Sequence, residues 1–167
     1  MGIFTTEFNS LEELFEHELK DLYDAEQRLT EALPKLAEKA TSSDLKRAFQ
    51  NHLRETEKHV ERLESIFEQI GVEPEREKCA AMVGLIKEGE IVLDAEGDSN
   101  VLDAALIAAA QRAEHYEMAA YGTARSFARQ LGNAYAAELL EQTLDEEKAA
   151  DRKLTQIAES TVNPASA

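Results

Sequence analysis

The sequence predicts an all-α protein, and three observations support this. The 167-residue chain contains only seven Gly and three Pro, and Ala, Leu, Glu and Lys, which favour helices, are abundant. Apolar residues recur every three or four positions along several long segments. No segment alternates apolar and polar residues as a half-buried strand does. The length fits one domain, so we expect residues 1–167 to form a single domain.

The first two predicted helices form a hairpin. Ser10 is a suitable N-cap, and helical spacing of apolar residues then continues over about residues 10–40, with Pro34 near the end of the helix. After a turn rich in capping residues, the same spacing resumes and predicts a second helix over about residues 43–70, which Gly71 ends. The short turn between the two helices makes them antiparallel neighbours.

A long connection separates this hairpin from a second one. Within this connection, a shorter helix is predicted over about residues 78–96. Two further helices follow over about residues 100–131 and 134–160, separated by a tight turn. The tail, residues 161–167, is rich in small residues and is expected to be disordered. Two tight hairpins joined by one long crossover are the topology of the ferritin-like four-helix bundle, here with a short fifth helix in the crossover.

The charge of the chain excludes several classes of function. Lys and Arg number 18 against 34 Asp and Glu, which gives a net charge of −16. Such a surface repels nucleic acid and anionic membranes. The longest apolar run, Ala104 to Ala110, is too short to cross a bilayer. A single cysteine, Cys79, excludes an internal disulfide and a Cys-x-x-Cys site. We therefore expect a cytoplasmic protein.

Carboxylates interrupt the apolar stripes of the predicted bundle helices. Glu26 lies within the core-facing stripe of the first helix, and Glu117 lies within that of the helix over residues 100–131, with Glu114 one turn earlier. The last long helix carries Glu147 and Asp151 four residues apart in its stripe. These side chains are therefore expected to point into the bundle.

The second helix adds Glu55 and His59, which lie four residues apart beside its apolar stripe. Counting from the hairpin turns, at about 1.5 Å per residue, places the polar groups of paired helices at the same level. Ionised carboxylates without partners are costly in a core, so we expect a cation. Oxygen donors with one or two imidazoles suit iron or manganese, and this architecture holds two such ions. The predicted metal ligands are Glu26, Glu55, His59, Glu114, Glu117, Glu147 and Asp151.

An alternative interpretation needs no metal. Glu26 and Glu117 could form a hydrogen-bonded network with basic or hydroxyl side chains, such as those of Thr56, Tyr23, Tyr121 or Thr143. We expect His52 to be a core residue or to hydrogen-bond to a metal ligand without binding the metal itself. We expect His17 and His115 to lie at the surface or to contact a ligand in the same indirect way.

Four stretches of the sequence resemble the bacterial YciE/YciF stress-protein family. They are residues 21–26, 78–85, 108–117 and 143–148. The resemblance covers about residues 8–160. It implies a five-helix protomer, a homodimer, induction under stress, and kinship with rubrerythrin and bacterioferritin, which hold two irons on helix-borne carboxylates.

The chain departs from those two relatives at one motif. They carry Glu-x-x-His on the second and fourth bundle helices, whereas here the third residue after each glutamate is Lys58 or Ala150. The candidate replacements, His59 and Asp151, stand one position later. Each ion could therefore keep a terminal donor, with altered geometry.

The resemblance also implies roles for the glutamates. Glu26 and either Glu114 or Glu117 would be terminal ligands, while Glu55 and Glu147 would bridge two iron ions, with manganese as the alternative metal. The predicted activity is oxidation of Fe(II) or reduction of peroxide or dioxygen in a stress response. The alternative is a non-enzymatic dimeric helical protein whose metal site is structural or vestigial. A storage cage is the least expected form.

Overall fold

The computed structural model describes residues 7–167, and that part of the chain is helical without any strand, which confirms the predicted fold class. The helices are α1 (Leu11–Lys39), α2 (Ser43–Ile70), α3 (Ala80–Leu93), α4 (Ser99–Gln130) and α5 (Ala134–Ile157), followed by a π-helical turn (Ala158–Val162) and the short α6 (Asn163–Ser166). None of the helices in residues 7–167 is long and apolar enough to cross a membrane.

Local signals set the ends of the bundle helices. Ser10 and Ser42 cap α1 and α2 by accepting bonds from the backbone three residues ahead. Gly71 ends α2 and Gly132 follows α4, with φ of 72° and 73°, in the left-handed region that glycine adopts without steric cost. Packing of α1 along α2 and of α4 along α5 gives two hairpins, and contacts of α1 with α4 and of α2 with α5 close the bundle.

The crossover helix α3 packs on α4 and α1. Its start is fixed by the buried carboxylate of Asp24, which accepts bonds from Arg28 Nε at 2.5 Å, Arg76 Nε at 2.9 Å and the Cys79 backbone N–H at 2.9 Å. Burial opposes the ionised form of Asp24, but these bonds outweigh it and lower the pKa of this carboxyl. Asp24 thus connects α1 to the crossover.

The apolar core consists of two clusters separated along every bundle helix. Leu33 and Phe49 belong to one cluster, and Leu22 and Leu63 belong to the other. On α2, the fully buried residues between Phe49 and Leu63 are polar. The bundle therefore has a buried polar layer between two apolar ones.

The C-terminal segment differs from the sequence prediction. Residues 161–167 were expected to be disordered, but helical structure continues to Ser166. Val162 is buried among core residues, and Asn100 Nδ2 donates to the Ala165 carbonyl at 3.2 Å. Pro164 lies in the first turn of α6, directly after the π-helical turn. Tertiary packing on α4 thus orders a segment whose composition alone suggested disorder.

Candidate metal centre

The polar layer contains six buried ionisable side chains from all four bundle helices. They are Glu26 of α1, His52 and His59 of α2, Glu114 and Glu117 of α4, and Glu147 of α5. Glu26, Glu117 and Glu147 are 0% exposed. Four carboxylates and two imidazoles out of contact with water call for a positive charge between them.

These donors form two groups, in each of which the ligand atoms lie within 4.8 Å of one another. The first group is Glu26, His59 and Glu147, and the second is His52, Glu114, Glu117 and Glu147. Because Glu147 belongs to both groups, one carboxylate can bridge two ions. This is the arrangement of a dinuclear centre in a bundle core.

Glu146, a carboxylate outside both donor groups, orients the ring of His59. Its Nε2 lies 2.8 Å from Glu146 Oε2, and Arg62 holds Glu146 through two bonds, of 2.6 and 2.9 Å. Although burial opposes ionisation of Glu146, the bonds from Arg62 and His59 lower its pKa to about 2. An imidazole that donates from Nε2 to a carboxylate presents its Nδ1 as a metal ligand.

The other nitrogen of His59 faces only acceptors. Nδ1 lies 2.9 Å from Glu147 Oε1 and 3.3 Å from Glu26 Oε1, yet it makes no contact with hydrogen-bond geometry. Burial favours the neutral ring, but Glu26 and the other carboxylates outweigh burial and raise the pKa of His59 to about 11. In the metal-free protein a proton therefore occupies the position that a cation would take.

His52 occupies the corresponding place in the second group. Its Nε2 lies 3.1 Å from Glu114 Oε1 and 3.6 Å from Glu147 Oε2, and its Nδ1 lies 3.5 Å from Glu55 Oε2. Sequence reasoning placed this residue in the core or behind a ligand. The signal that could have found it is spacing, since His52 and His59 are seven residues apart, two turns along one helix face.

Buried side-chain nitrogens and oxygens without a hydrogen bond are concentrated in the polar layer. In the described part of the chain, all but one of the buried side-chain nitrogens and oxygens without a hydrogen bond belong to this layer, the exception being Arg125 Nε. They come from Glu26, His52, Thr56, His59, Glu114, Glu117 and Glu147. Buried polar atoms are nearly always paired, so this concentration fits a centre whose donors are meant for metal ions.

Burial dominates the acid–base behaviour of the two central glutamates. Desolvation and the nearby Glu147 and Glu26 raise the pKa of Glu117 well above its ordinary value. Desolvation also raises the pKa of Glu147, even though His52 and His59 act in the opposite direction. Glu26 is better supported, because Tyr121 donates to its Oε1 at 2.5 Å. The layer thus lacks positive charge most severely around Glu117, whose two oxygens have no hydrogen bond.

The structure brings five of the predicted ligands together, namely Glu26, His59, Glu114, Glu117 and Glu147. It does not bring Glu55 and Asp151 to either group. The Glu55 side chain is 42% exposed, and it precedes by one residue the inward-facing Thr56, which turns it away from the core. Asp151 instead accepts a bond from Gln111 Nε2 at 3.0 Å, between α4 and α5.

On α2, Thr56 and not Glu55 occupies the position of the glutamate in the Glu-x-x-His motif. His59 follows Thr56 by three residues, so the pair occupies the spacing of Glu-x-x-His with a hydroxyl in place of the carboxylate. The Thr56 side chain is fully buried and its Oγ1 has no partner. On α5, Ala150 stands where the histidine of the second motif would be, and His52 of α2 supplies an imidazole to that group instead.

Comparison with known proteins gives matches along nearly the whole chain. The sequence model of a family described as "Domain of unknown function (DUF892)" matches residues 10–167. Protein YciF of Escherichia coli strain K12 is 48% identical over 155 residues, which are 92% of this chain and 93% of that protein.

Solved structures agree with the fold. The crystal structure of the E. coli stress protein YciF matches with a TM-score of 0.90 at 47% identity, over 93% of this chain and 99% of that one. YcfI of Rhodopseudomonas palustris, provisionally described as a structural protein, matches with a TM-score of 0.89 at 44% identity, again over 93% and 99%. Protein XCC3681 of Xanthomonas campestris pv. campestris, 19% identical with a TM-score of 0.68 over 92% and 94%, shares the fold.

Proposed function

The chain belongs to the DUF892 family, and from its buried cluster we propose that it is a dinuclear metal protein that oxidises Fe(II) or reduces peroxide or dioxygen. The observation that carries the proposal is the concentration of unpartnered donor atoms in one layer. The description of the E. coli relative as a stress protein supports a role in a stress response.

The donor set indicates how two ions would be held. Glu26 and His59 would bind one ion, His52, Glu114 and Glu117 the other, with Glu147 shared. Carboxylates with one imidazole per ion suit iron or manganese, whereas zinc favours sulfur and nitrogen donors and fewer ligands. Iron and manganese both change their oxidation state, as the proposed reactions require, whereas zinc does not. Iron is the first choice because the resemblance noted above implies kinship with proteins that hold two irons.

A bound pair of iron ions would supply the electrons for reduction of an oxidant. The chain's own residues prepare the site for this. Glu146 fixes the ring of His59, and the Tyr121 hydroxyl fixes one oxygen of Glu26. Thr56 Oγ1, which has no protein partner, can donate a hydrogen bond to a small oxygen-containing substrate. The apolar clusters flank the layer along the bundle axis and keep water from entering it through the ends of the bundle.

Metal content tests the proposal. Protein made without a histidine tag and reconstituted anaerobically with Fe(II) should contain about two irons per chain by plasma mass spectrometry. Glu147→Gln should lose both ions, because both groups share this carboxylate. Glu138→Gln, at an exposed position of the same helix, should retain them. Substoichiometric iron that is unchanged in Glu147→Gln would refute a dinuclear centre.

The second candidate function is a structural, non-enzymatic role. It is favoured by the provisional description of the R. palustris relative and by Ala150, which removes the histidine of one metal motif. Under this hypothesis the protein contains little metal, or holds metal that neither peroxide nor dioxygen oxidises. Turnover of hydrogen peroxide by the iron-loaded protein, absent from Glu147→Gln, distinguishes the two.

We also propose that the protein is a cytoplasmic homodimer, which the resemblance to the stress-protein family supports. Light scattering coupled to gel filtration should give about twice the chain mass of 18.6 kDa. A monomer would refute the assembly while leaving the metal proposal intact, since each bundle contains both donor groups.

A further inference from the structure

A cleft between α2 and α5 leads from the protein surface to the buried donors. Its volume is about 450 Å³, and its floor includes His52 and Glu114. Their unpartnered atoms, His52 Nε2 and Glu114 Oε2, belong to the second donor group. The cleft therefore reaches two residues of the second donor group from the solvent side.

Small side chains keep this cleft wide. Ala149 and Ala150 form part of its α5 wall. A groove lined by α1, α3 and α4 also reaches Glu114, but its volume is only about 40 Å³. A cavity of that size holds about one or two waters, so a hydrated ion fits the cleft and not the groove.

Carboxylates are placed at successive depths of the cleft. Asp44 at the mouth is 48% exposed, the Glu55 side chain is 42% exposed, and the Glu114 side chain at the floor is 3% exposed. Two cations, Arg47 and Lys153, also line the mouth, and Arg47 pairs with Asp44. In the described residues Glu55 has one polar contact, to His52 at 3.5 Å. It is thus the carboxylate best able to accept an arriving cation.

We propose that this cleft is the entry route for hydrated divalent cations and that Glu55 is a transit ligand, which binds the ion briefly before it passes to His52 and Glu114. The inference rests on the proposed metal centre. It also explains why Glu55 lies outside both donor groups yet contacts a member of one of them. An exposed carboxylate next to a buried site raises the local cation concentration and replaces part of the hydration shell.

The test follows uptake of Co²⁺ by the metal-free full-length protein, using stopped-flow absorption of the bound ion. Glu55→Gln should slow uptake at least about fivefold while reaching the same final absorption. Glu57→Gln removes the same charge from an exposed position of α2 outside the cleft, and should stay within about twofold of the unmodified protein. Equal rates for the two variants would overturn the transit role, as would loss of a Co²⁺ at saturation in Glu55→Gln.

A second variant tests the route itself. Ala149 is exposed on the cleft wall, so Ala149→Phe should narrow the cleft without disturbing the core. Slower uptake at an unchanged helical circular dichroism spectrum supports entry here, and uptake at the normal rate would overturn it. Absence of Co²⁺ binding by the unmodified protein would refute the proposed metal centre, a different outcome from either rate result.

Discussion

Replacing Glu147 by glutamine should remove metal binding and at the same time stabilise the metal-free protein. Glu147 is fully buried, and both of its oxygens lack hydrogen bonds. Desolvation raises its pKa from 4.5 to about 7. A raised pKa in a folded protein means that ionising the group destabilises the fold, and glutamine, which has nearly the same shape, avoids that ionisation.

The size and the pH range of the effect follow from this shift. Below pH 4.5 the carboxyl is protonated in both folded and unfolded chains, so the substitution should change little. As the pH rises from 4.5 to about 7, the carboxyl is ionised in the unfolded chain but still protonated in the folded one, so the unmodified protein loses stability. The loss reaches about 3 kcal/mol above pH 7, because each pKa unit corresponds to about 1.4 kcal/mol. At pH 8 the variant should therefore melt about 6–12 °C higher.

Urea unfolding with a chelator present, at pH 5 and pH 8, measures this effect. Glu147→Gln should gain about 3 kcal/mol at pH 8 and less than about 1 kcal/mol at pH 5. Glu138→Gln, on the exposed side of α5, should match the unmodified protein at both values. Saturating Mn²⁺ should then stabilise the unmodified protein but not Glu147→Gln. A variant that is less stable at pH 8 than the unmodified protein would show that Glu147 is well paired without metal, and would refute the reasoning.

Three further substitutions test the surroundings of the donors. Tyr121→Phe removes the bond to Glu26 and leaves a buried oxygen unpaired, so urea unfolding of the metal-free protein should show a loss of about 1–3 kcal/mol. Arg62→Met releases Glu146, and Mn²⁺ affinity measured by calorimetry should fall about 10–100-fold. Asp24→Asn weakens the bonds to the start of α3. Because the pKa of Asp24 is lowered, the destabilisation relative to the unmodified protein should be complete at pH 7 and should shrink in thermal melts as the pH falls below 3.8, the ordinary pKa of the carboxyl.

Helix positions could be predicted from the sequence because the signals that set them are local. The predicted second helix, residues 43–70, has the observed bounds, since Ser42 caps its start and Gly71 ends it. The C-terminal tail could not be predicted in this way. Its order depends on Val162 packing in the core and on Asn100 bonding to the tail, which are contacts between segments distant in sequence.

The candidate metal centre, too, could be predicted from the sequence only in part. Inward-facing glutamates on α1, α4 and α5 stand out because they interrupt regular apolar stripes, as Glu26 does. On α2 the polar candidates lie beside the apolar stripe instead of interrupting it, so periodicity did not separate Glu55 from His52. A one-residue difference in position rotates a side chain by about 100° around a helix, and Thr56, with its unpaired hydroxyl, marks the true inward position. Only side-chain geometry resolves a difference of that size.

Anomalous diffraction from crystals grown with Mn²⁺ tests the central claim most directly. Two peaks should lie about 3.5–4 Å apart, with Glu147 between them. One should lie next to His59 and the other next to His52. A single peak in the layer, or peaks only at surface carboxylates, would contradict a dinuclear centre.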